Sequence, residues 1–358
     1  MGFCSQCLIP STKKDEETIK LIREEYLIDD IPWFIGYSGG KDSSALLSLV
    51  INAIYNLERY SREITVVFCD TGVENPIITD YVYSTFKNLK EECEFLKIPI
   101  KFKIAKPELK DRFFVKVIGK GYPTPTNIFR WCTKSLRINP VKKIIDSNEK
   151  AIVVLGVRSG ESSERDRTIN KYKSNKRYYL KQNNSKSKLI FAPILDYEIR
   201  DVWSAIKFKD FPQSIRHDII GKLYKDAGAE CPVYRESHGT PCGKGRFGCW
   251  TCTVVRKDIS VEKMIMNGYE ELLPLSIFRN WLAKFRDNNE FRCKYRRNGK
   301  MGLGPITLNG RKIILEKLLQ VEKDTGMLIL DNEELQLIHQ HWEADIMNEQ
   351  YVENVSGN

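Results

Sequence analysis

Apolar and polar positions along the chain switch between a strand period and a helix period, and the switches mark the elements. The run Trp33-Phe34-Ile35-Gly36-Tyr37 predicts a short buried strand, with a glycine turn directly after it. Ala45, Leu46, Leu47, Leu49, Val50, Ile51 and Ile54 then trace a largely apolar helical face, and Ile64–Cys69 predicts the next strand. Strand, loop, helix and strand make a βαβ unit. Residues 98–104 and 151–157 are further buried-strand candidates with helical patterns between them. The expected fold is therefore α/β, a parallel sheet with helices on both faces. Ligands of such sheets sit at the carboxyl ends of the strands, where the loop after Tyr37 and Asp70 are both expected.

Outside this core the pattern changes. Residues 15–26 are charged and helical in period, and beyond Asp258 a second helical region follows, with Ile313, Ile314, Leu315, Leu318 and Leu319 on one face. Three segments result: an extension over residues 1–23, a nucleotide-type domain over 24–230, and a cysteine-rich loop with a helical C-terminal lobe over 231–358. Residues 170–188 carry Lys171, Lys173, Lys176, Arg177, Lys181, Lys186 and Lys188 and no acidic residue. They read as a mobile basic loop, either a solvated excursion or a nucleic-acid contact.

Composition narrows the class. The 358 residues are 42% hydrophobic, without an apolar run long enough to span a membrane, so a soluble protein with no membrane partner is expected. Lys13, Lys14, Asp15, Glu16 and Glu17 interrupt the region where a secretory signal would lie, which makes the cytoplasm the default location. A net charge of +10 suits an anionic partner. Ten cysteines in a reducing compartment point away from disulfides and toward metal or redox chemistry.

The strongest chemical signal is Ser38-Gly39-Gly40-Lys41-Asp42-Ser43-Ser44 at a strand-to-helix junction. Unpaired amides and the helix dipole favour an anion there, the glycines admit phosphate oxygens, Ser38 and Ser43 add hydroxyls, and Lys41 adds charge. Asp42 is placed to hold Mg2+. The spacing does not match the γ-phosphate loop of common NTPases. It resembles the PP-loop of N-type ATP pyrophosphatases, which implies an adenine nucleotide α-hydrolase-like fold and cleavage of ATP between the α- and β-phosphates. The string Val67-Phe68-Cys69-Asp70-Thr71-Gly72 resembles the nucleotide-binding segment of the same family and implies that Asp70 faces the adenosine. Read without that resemblance, Asp70 is a turn or cap residue.

Cys242, Cys249 and Cys252 fall in a C-x6-C-x2-C pattern within a turn-rich loop. Cys132, in Phe129-Arg130-Trp131-Cys132-Thr133-Lys134, is the best candidate for a fourth thiolate. Four thiolates suit a [4Fe–4S] cluster, but spacing alone fits Zn2+ equally well, either on the same set or joining Cys4 and Cys7 to Cys249 and Cys252.

Taken with Gly156-Val157-Arg158-Ser159-Gly160-Glu161-Ser162, Pro193-Ile194 and Asp201-Val202-Trp203, these motifs resemble the phosphoadenosine phosphosulfate reductase superfamily. Within it, the string from Arg246 to Val255 and the Gly302-Leu303-Gly304-Pro305 segment are most similar to the DndC-like ATP pyrophosphatases of DNA phosphorothioation. That resemblance implies Cys132, Cys242, Cys249 and Cys252 as cluster ligands and Ser38 to Ser43 as the ATP loop, with Arg158 and Glu161 facing the bound anion. It also implies DNA as substrate, a cysteine desulfurase as sulfur donor and further DNA sulfur-modification subunits as partners. A surface ion pair is the plainer reading of Arg158 and Glu161. The rival functions are a sulfonucleotide reductase, a tRNA thiolase and a non-catalytic, ATP-switched iron–sulfur subunit. The reductases carry a nucleophilic cysteine in a C-terminal Glu-Cys-Gly-Leu-His setting, whereas the last cysteine here is Cys293 in Arg292-Cys293-Lys294.

Overall fold

A computed structural model describes residues 12–181, 188–207, 212–229 and 247–356. In chain order the first elements are α1 (Thr12–Leu27), β1 (Trp33–Tyr37), α2 (Lys41–Ile54), β2 (Ile64–Cys69), α3 (Pro76–Phe95) and β3 (Ile100–Ala105). They are followed by α4 (Asn139–Ile145), β4 (Ala151–Val154), α5 (Ser163–Tyr172), β5 (Tyr179–Lys181), β6 (Lys188–Phe191), α6 (Ile199–Lys207) and α7 (His217–Asp226). The last helices are α8 (Ile259–Met266), α9 (Leu273–Phe285), α10 (Leu308–Thr325) and α11 (Asn332–Ser356). None of the described helices is long and apolar enough to cross a membrane.

The chain forms two compact units. The first holds residues 1–69, 76–105 and 141–247, and the second holds 70–75, 106–140 and 248–358.

In the first unit six strands run in the order β3-β2-β1-β4-β6-β5. All neighbours are parallel except β5, which pairs antiparallel with β6 at the edge. The parallel sheet expected from the sequence is present, with one antiparallel strand added at its edge. Part of the segment expected to be a mobile basic loop is these two strands, while residues 182–187 lie outside the described residues. The strand expected over 151–157 ends at Val154.

Strand residues alternate between the sheet faces, and both faces are covered. Phe34, Val67, Ala105 and Ala151 share one face and pack with Val141, Ile144 and Ile145 of α4. On the other, Trp33 meets Tyr26 of α1 edge-on at 5.7 Å, and Tyr37 meets Phe86 of α3 at 5.5 Å. Arg62 fastens the entry to the sheet: its buried guanidinium donates to the carbonyls of Tyr26, Glu25, Asp29 and Ile31 at 2.8–3.2 Å.

Asp15 of α1 is buried and accepts from Tyr197 Oη at 2.9 Å and Ser204 Oγ at 3.0 Å. Burial lifts its carboxyl to about 6; the two donors and Lys14 oppose that, and Asp201 adds to it. Between the ordinary value of 3.8 and about 6 the folded chain holds a proton that the unfolded chain has released. This contribution to stability is complete below 3.8 and is lost as pH rises through about 6. Urea unfolding across that window is expected to show this falling component in the parent protein and a flatter profile in Asp15→Asn. Parallel profiles would remove Asp15 as its source.

Candidate functional site

The strand order reverses direction between β1 and β4, and this switch point brings two carboxyl-end loops together in the first unit. The loop after β1 leads into α2, and the loop after β4 carries Gly156 and Arg158.

Gly39 adopts φ 72°, and a Cβ there would stand 2.4 Å from Val82 Cγ2, so both conformation and space demand glycine. Gly40 is the N-cap of α2 and has no side chain to occupy the helix end. Ser43 Oγ holds the loop shut, accepting from Ser38 N at 3.2 Å and donating to Gly40 O at 2.9 Å. Lys41 is 4% exposed at its side chain, and its Nζ lies 2.7 Å from Asp42 Oδ2. Arg158 Nε donates to Asp42 Oδ1, and Arg158 Nη1 reaches Tyr197 O at 3.4 Å.

One carboxylate therefore sits between two cations at a helix N-terminus. Burial alone would raise the Asp42 carboxyl, but Lys41 and Arg158 outweigh it and hold the group below its ordinary value of 3.8. The lowered Asp42 carboxyl is the negative member of a cluster with two basic side chains, an arrangement suited to an anion. Both Asp42 oxygens are engaged by these two cations.

Two residues that sequence reasoning missed complete the loop. Tyr224 Oη accepts from Lys41 N at 3.2 Å, and its ring lies 5.5 Å from Lys41 Nζ. It comes from α7, far along the chain, and no local pattern marked it. Gly156 abuts the loop: a Cβ there would stand 2.6 Å from Asp42 O. Its place in the Gly-x-Arg string was the available signal. Arg158 and Glu161, both expected to face an anion, have charged partners in the structure: Arg158 pairs with Asp42 and Glu161 with Arg165.

The second unit holds Asp70 and the described candidate thiols. Asp70 Oδ1 accepts from Gly72 N at 2.9 Å, which closes a turn, and Oδ2 lies 3.4 Å from Lys106 Nζ. The backbone of 70–75 is clamped by the cysteine loop through an antiparallel bridge from Glu74 to Cys249 and a bond from Trp250 N to Val73 O of 2.9 Å. Cys252 N donates to Cys249 O at 2.9 Å, the tight turn that lets a C-x2-C pair present both sulfurs. Cys249 Sγ lies 3.7 Å from Thr71 Oγ1 and accepts from Arg137 Nη2 at 3.5 Å. Burial, reinforced by Glu74, pushes the Cys249 thiol up to about 12. Burial also raises Cys132, with Cys252 near enough to push the same way.

Three thiols in one unit, two of them on such a turn, form a donor set that suits Zn2+ or an iron–sulfur cluster. As they stand, the described residues contain no group of three Cys, His, Asp or Glu side chains converged on a metal position, and Cys242 lies outside those described.

The phosphoadenosine phosphosulfate reductase domain family model matches residues 32–255, more than half of the chain. The chain belongs to that family. Curated relatives include two uncharacterized proteins of Methanocaldococcus jannaschii, MJ0973 and MJ0066. They are 27% identical over 60% of this chain and 28% identical over 66% of it. The chain covers only 40% and 39% of their respective lengths.

Solved structures with a similar arrangement include the phosphoadenylyl-sulfate reductase of Candida auris in a phosphate complex. It is 10% identical, with a TM-score of 0.34 over 57% of this chain and 88% of that one. The Candida glabrata FMN adenylyltransferase with ATP is 14% identical, with a TM-score of 0.36 over 90% and 85%. The U34-tRNA thiolase NcsA of Methanococcus maripaludis, solved with its [4Fe–4S] cluster, is 13% identical, with a TM-score of 0.34 over 77% and 80%.

Gly156→Ala is expected to displace the 41–43 backbone and lower unfolding stability by roughly 1–3 kcal/mol, as overpacking does. Urea denaturation measures this, and an unchanged midpoint would mean that the two loops part at little cost.

Proposed function

We propose that this protein is an ATP pyrophosphatase that adenylates an oxygen of a DNA backbone phosphate so that sulfur can replace it, the activity of a DndC-like phosphorothioation enzyme. The observation that carries the reading is the buried Lys41–Asp42–Arg158 trio on the glycine loop at the start of α2. A loop of this kind offers backbone amides and two cations to a polyphosphate. Charge that develops on the departing β- and γ-phosphates is met by groups already in place, the source of catalysis in phosphoryl-type transfer.

The balance is simple. A nonbridging oxygen of the DNA phosphate bonds to the α-phosphorus of ATP, the α–β bridging bond breaks, and pyrophosphate leaves with its electron pair. The phosphate oxygen, a very poor leaving group, then departs as part of AMP when a sulfur nucleophile attacks the DNA phosphorus. In this scheme Lys41 and the loop amides bind the β- and γ-phosphates, Arg158 holds Asp42 in position, and Asp42 would hold Mg2+, which would offset phosphate charge.

A cysteine desulfurase is the proposed source of sulfur, delivered as a persulfide whose terminal sulfur attacks the phosphorus; a dithiol reductant then supplies the two electrons that cleave the resulting S–S bond, leaving the phosphorothioate and the carrier thiol. Other DNA sulfur-modification subunits are proposed partners. Cys132, Cys242, Cys249 and Cys252 would hold a [4Fe–4S] cluster, or Zn2+ in its place. The cluster, when bound, supplies a thiolate-ligated iron centre for sulfur handling.

Lys41→Ala is expected to lower pyrophosphate release from labelled ATP by about a hundredfold or more, in line with the loss of one preorganised charge contact. It is expected to leave the visible absorption of a cluster on the cysteines unchanged. Orthophosphate and ADP as sole products in the parent protein would refute α–β cleavage. Stimulation by tRNA and not by DNA would transfer the reading to a tRNA thiolase.

A further inference from the structure

Residues 292–306 carry Arg292, Lys294, Arg296, Arg297 and Lys300 and no acidic residue. In the second unit they fold into an irregular hairpin. Arg292 bridges Ile306 and Tyr295 bridges Met301, both antiparallel. The tip closes with Gly299 N donating to Arg296 O at 2.9 Å and Arg296 N to Lys300 O at 2.8 Å. Gly299 takes φ 77°, the left-handed residue that a short hairpin loop requires, and Asn298 Oδ1 accepts from Lys300 N at 3.2 Å.

Arg292 is used internally. It donates from Nε to Gly304 O and from Nη1 to Arg286 O, both at 2.7 Å, and so locks the base of the hairpin.

Lys294, Arg296, Arg297 and Lys300 are exposed, and among the described residues none of them forms an ion pair. More positive charge adjoins them: Arg297 donates to Lys120 O and lies 4.3 Å over the Tyr122 ring, and Lys120 Nζ is 3.3 Å from Lys110 O. Burial, followed by the repulsion of Lys116, holds the Lys120 amine below its ordinary value, with Arg297 and Lys110 adding to it and Asp111 opposing it. Asp111 pairs with Lys116 at 2.8 Å and Glu108 with Lys110 at 3.2 Å, so carboxylates offset part of this neighbouring charge while the hairpin cations keep theirs. The bridged pair Tyr295 and Met301 is 62% and 81% exposed, so two large apolar side chains stand side by side among the cations.

The basic segment that first drew attention is different. Lys176 pairs with Glu25 at 2.6 Å and Arg177 with Asp196 at 3.5 Å, so part of its charge is already neutralised within the first unit.

We propose that the 292–306 hairpin is a docking surface for duplex DNA, with Lys294, Arg296, Arg297 and Lys300 on backbone phosphates and the Tyr295–Met301 pair entering a groove. A two-stranded ribbon fits a B-form groove, and apolar side chains flanked by Arg and Lys can wedge between base steps. A-form RNA has a major groove too narrow for such a ribbon. The inference rests on the proposed function for the choice of DNA, and it names where that DNA docks.

The test is fluorescence anisotropy of the full chain with a labelled duplex of about 20 base pairs, without ATP and over a range of salt. Replacing Lys294, Arg296 and Lys300 together by Ala is expected to weaken binding at least tenfold, with the log–log salt slope reduced by nearly three, at about 0.9 per phosphate contact. Tyr295→Ala with Met301→Ala is expected to weaken binding with the slope unchanged. On the unaltered chain, bound duplex is expected to protect the Lys294 and Lys300 amines from acetylation, a readout independent of how any variant folds. Unchanged affinity and slope in the triple variant, no protection of those amines, or tighter binding of the single strand or of RNA of the same sequence would each overturn the proposal. Hairpin-dependent DNA binding without pyrophosphate release would overturn the proposed activity and leave the docking surface standing.

Discussion

A carboxylate held between two cations at the end of a parallel sheet is the interaction on which the nucleotide-type unit depends. Breaking such a buried network by removing one member leaves an uncompensated charge, so Lys41, Asp42 and Arg158 stand or fall together. The fold exists to bring them into range. Ile35 pairs with Val154 across β1 and β4, and a few residues beyond that pairing one loop supplies Lys41 and Asp42 while the other supplies Arg158. The packing of Gly156 against the Asp42 carbonyl allows the two loops to approach without a side chain between them.

Those parts of the arrangement that depend on local order were readable in the sequence. β1 and β2 have the limits expected from their apolar runs, because a strand buried on both faces needs an unbroken apolar string bounded by turns. The glycine loop was readable for the same reason: its function requires particular residue types at consecutive positions. Long-range partners left no such mark. Tyr224 and Arg158 reach the loop from positions 183 and 116 residues away from their partners. Glu161, expected with Arg158 to face an anion, also meets Arg165 one helical turn further on. β5 and β6 escaped notice because they are three and four residues long, too short for an alternating pattern to emerge.

Charge is informative only when its neutralisation is known. Two basic stretches, residues 170–188 and 292–306, each lack acidic residues and look alike on the page. Folding separates them, since carboxylates distant in sequence, Glu25 and Asp196, are supplied to the first, whereas the exposed cations of the second remain among other cations. Exposed pairs of the first kind contribute little to stability, but they diminish the local field that would attract a polyanion.

The second unit is assembled from residues that begin where strands end. Its segments at Asp70 and Lys106 directly follow β2 and β3, and its largest part is the final third of the chain. In α/β sheets the loops at the carboxyl ends of strands carry function, because they vary without disturbing the ladder. Here two such loops have become the frame for the cysteine turn: the β2 loop pairs with Cys249 through Glu74, and the β3 loop carries Cys132. Burial of its sulfur, with Glu74 beside it, raises the Cys249 thiol and favours its protonated form. The turn places Cys249 and Cys252 two residues apart against the 70–75 backbone, as the glycine loop places Lys41 and Asp42 within reach of Arg158, and in both the chain brings reactive side chains to the ends of strands.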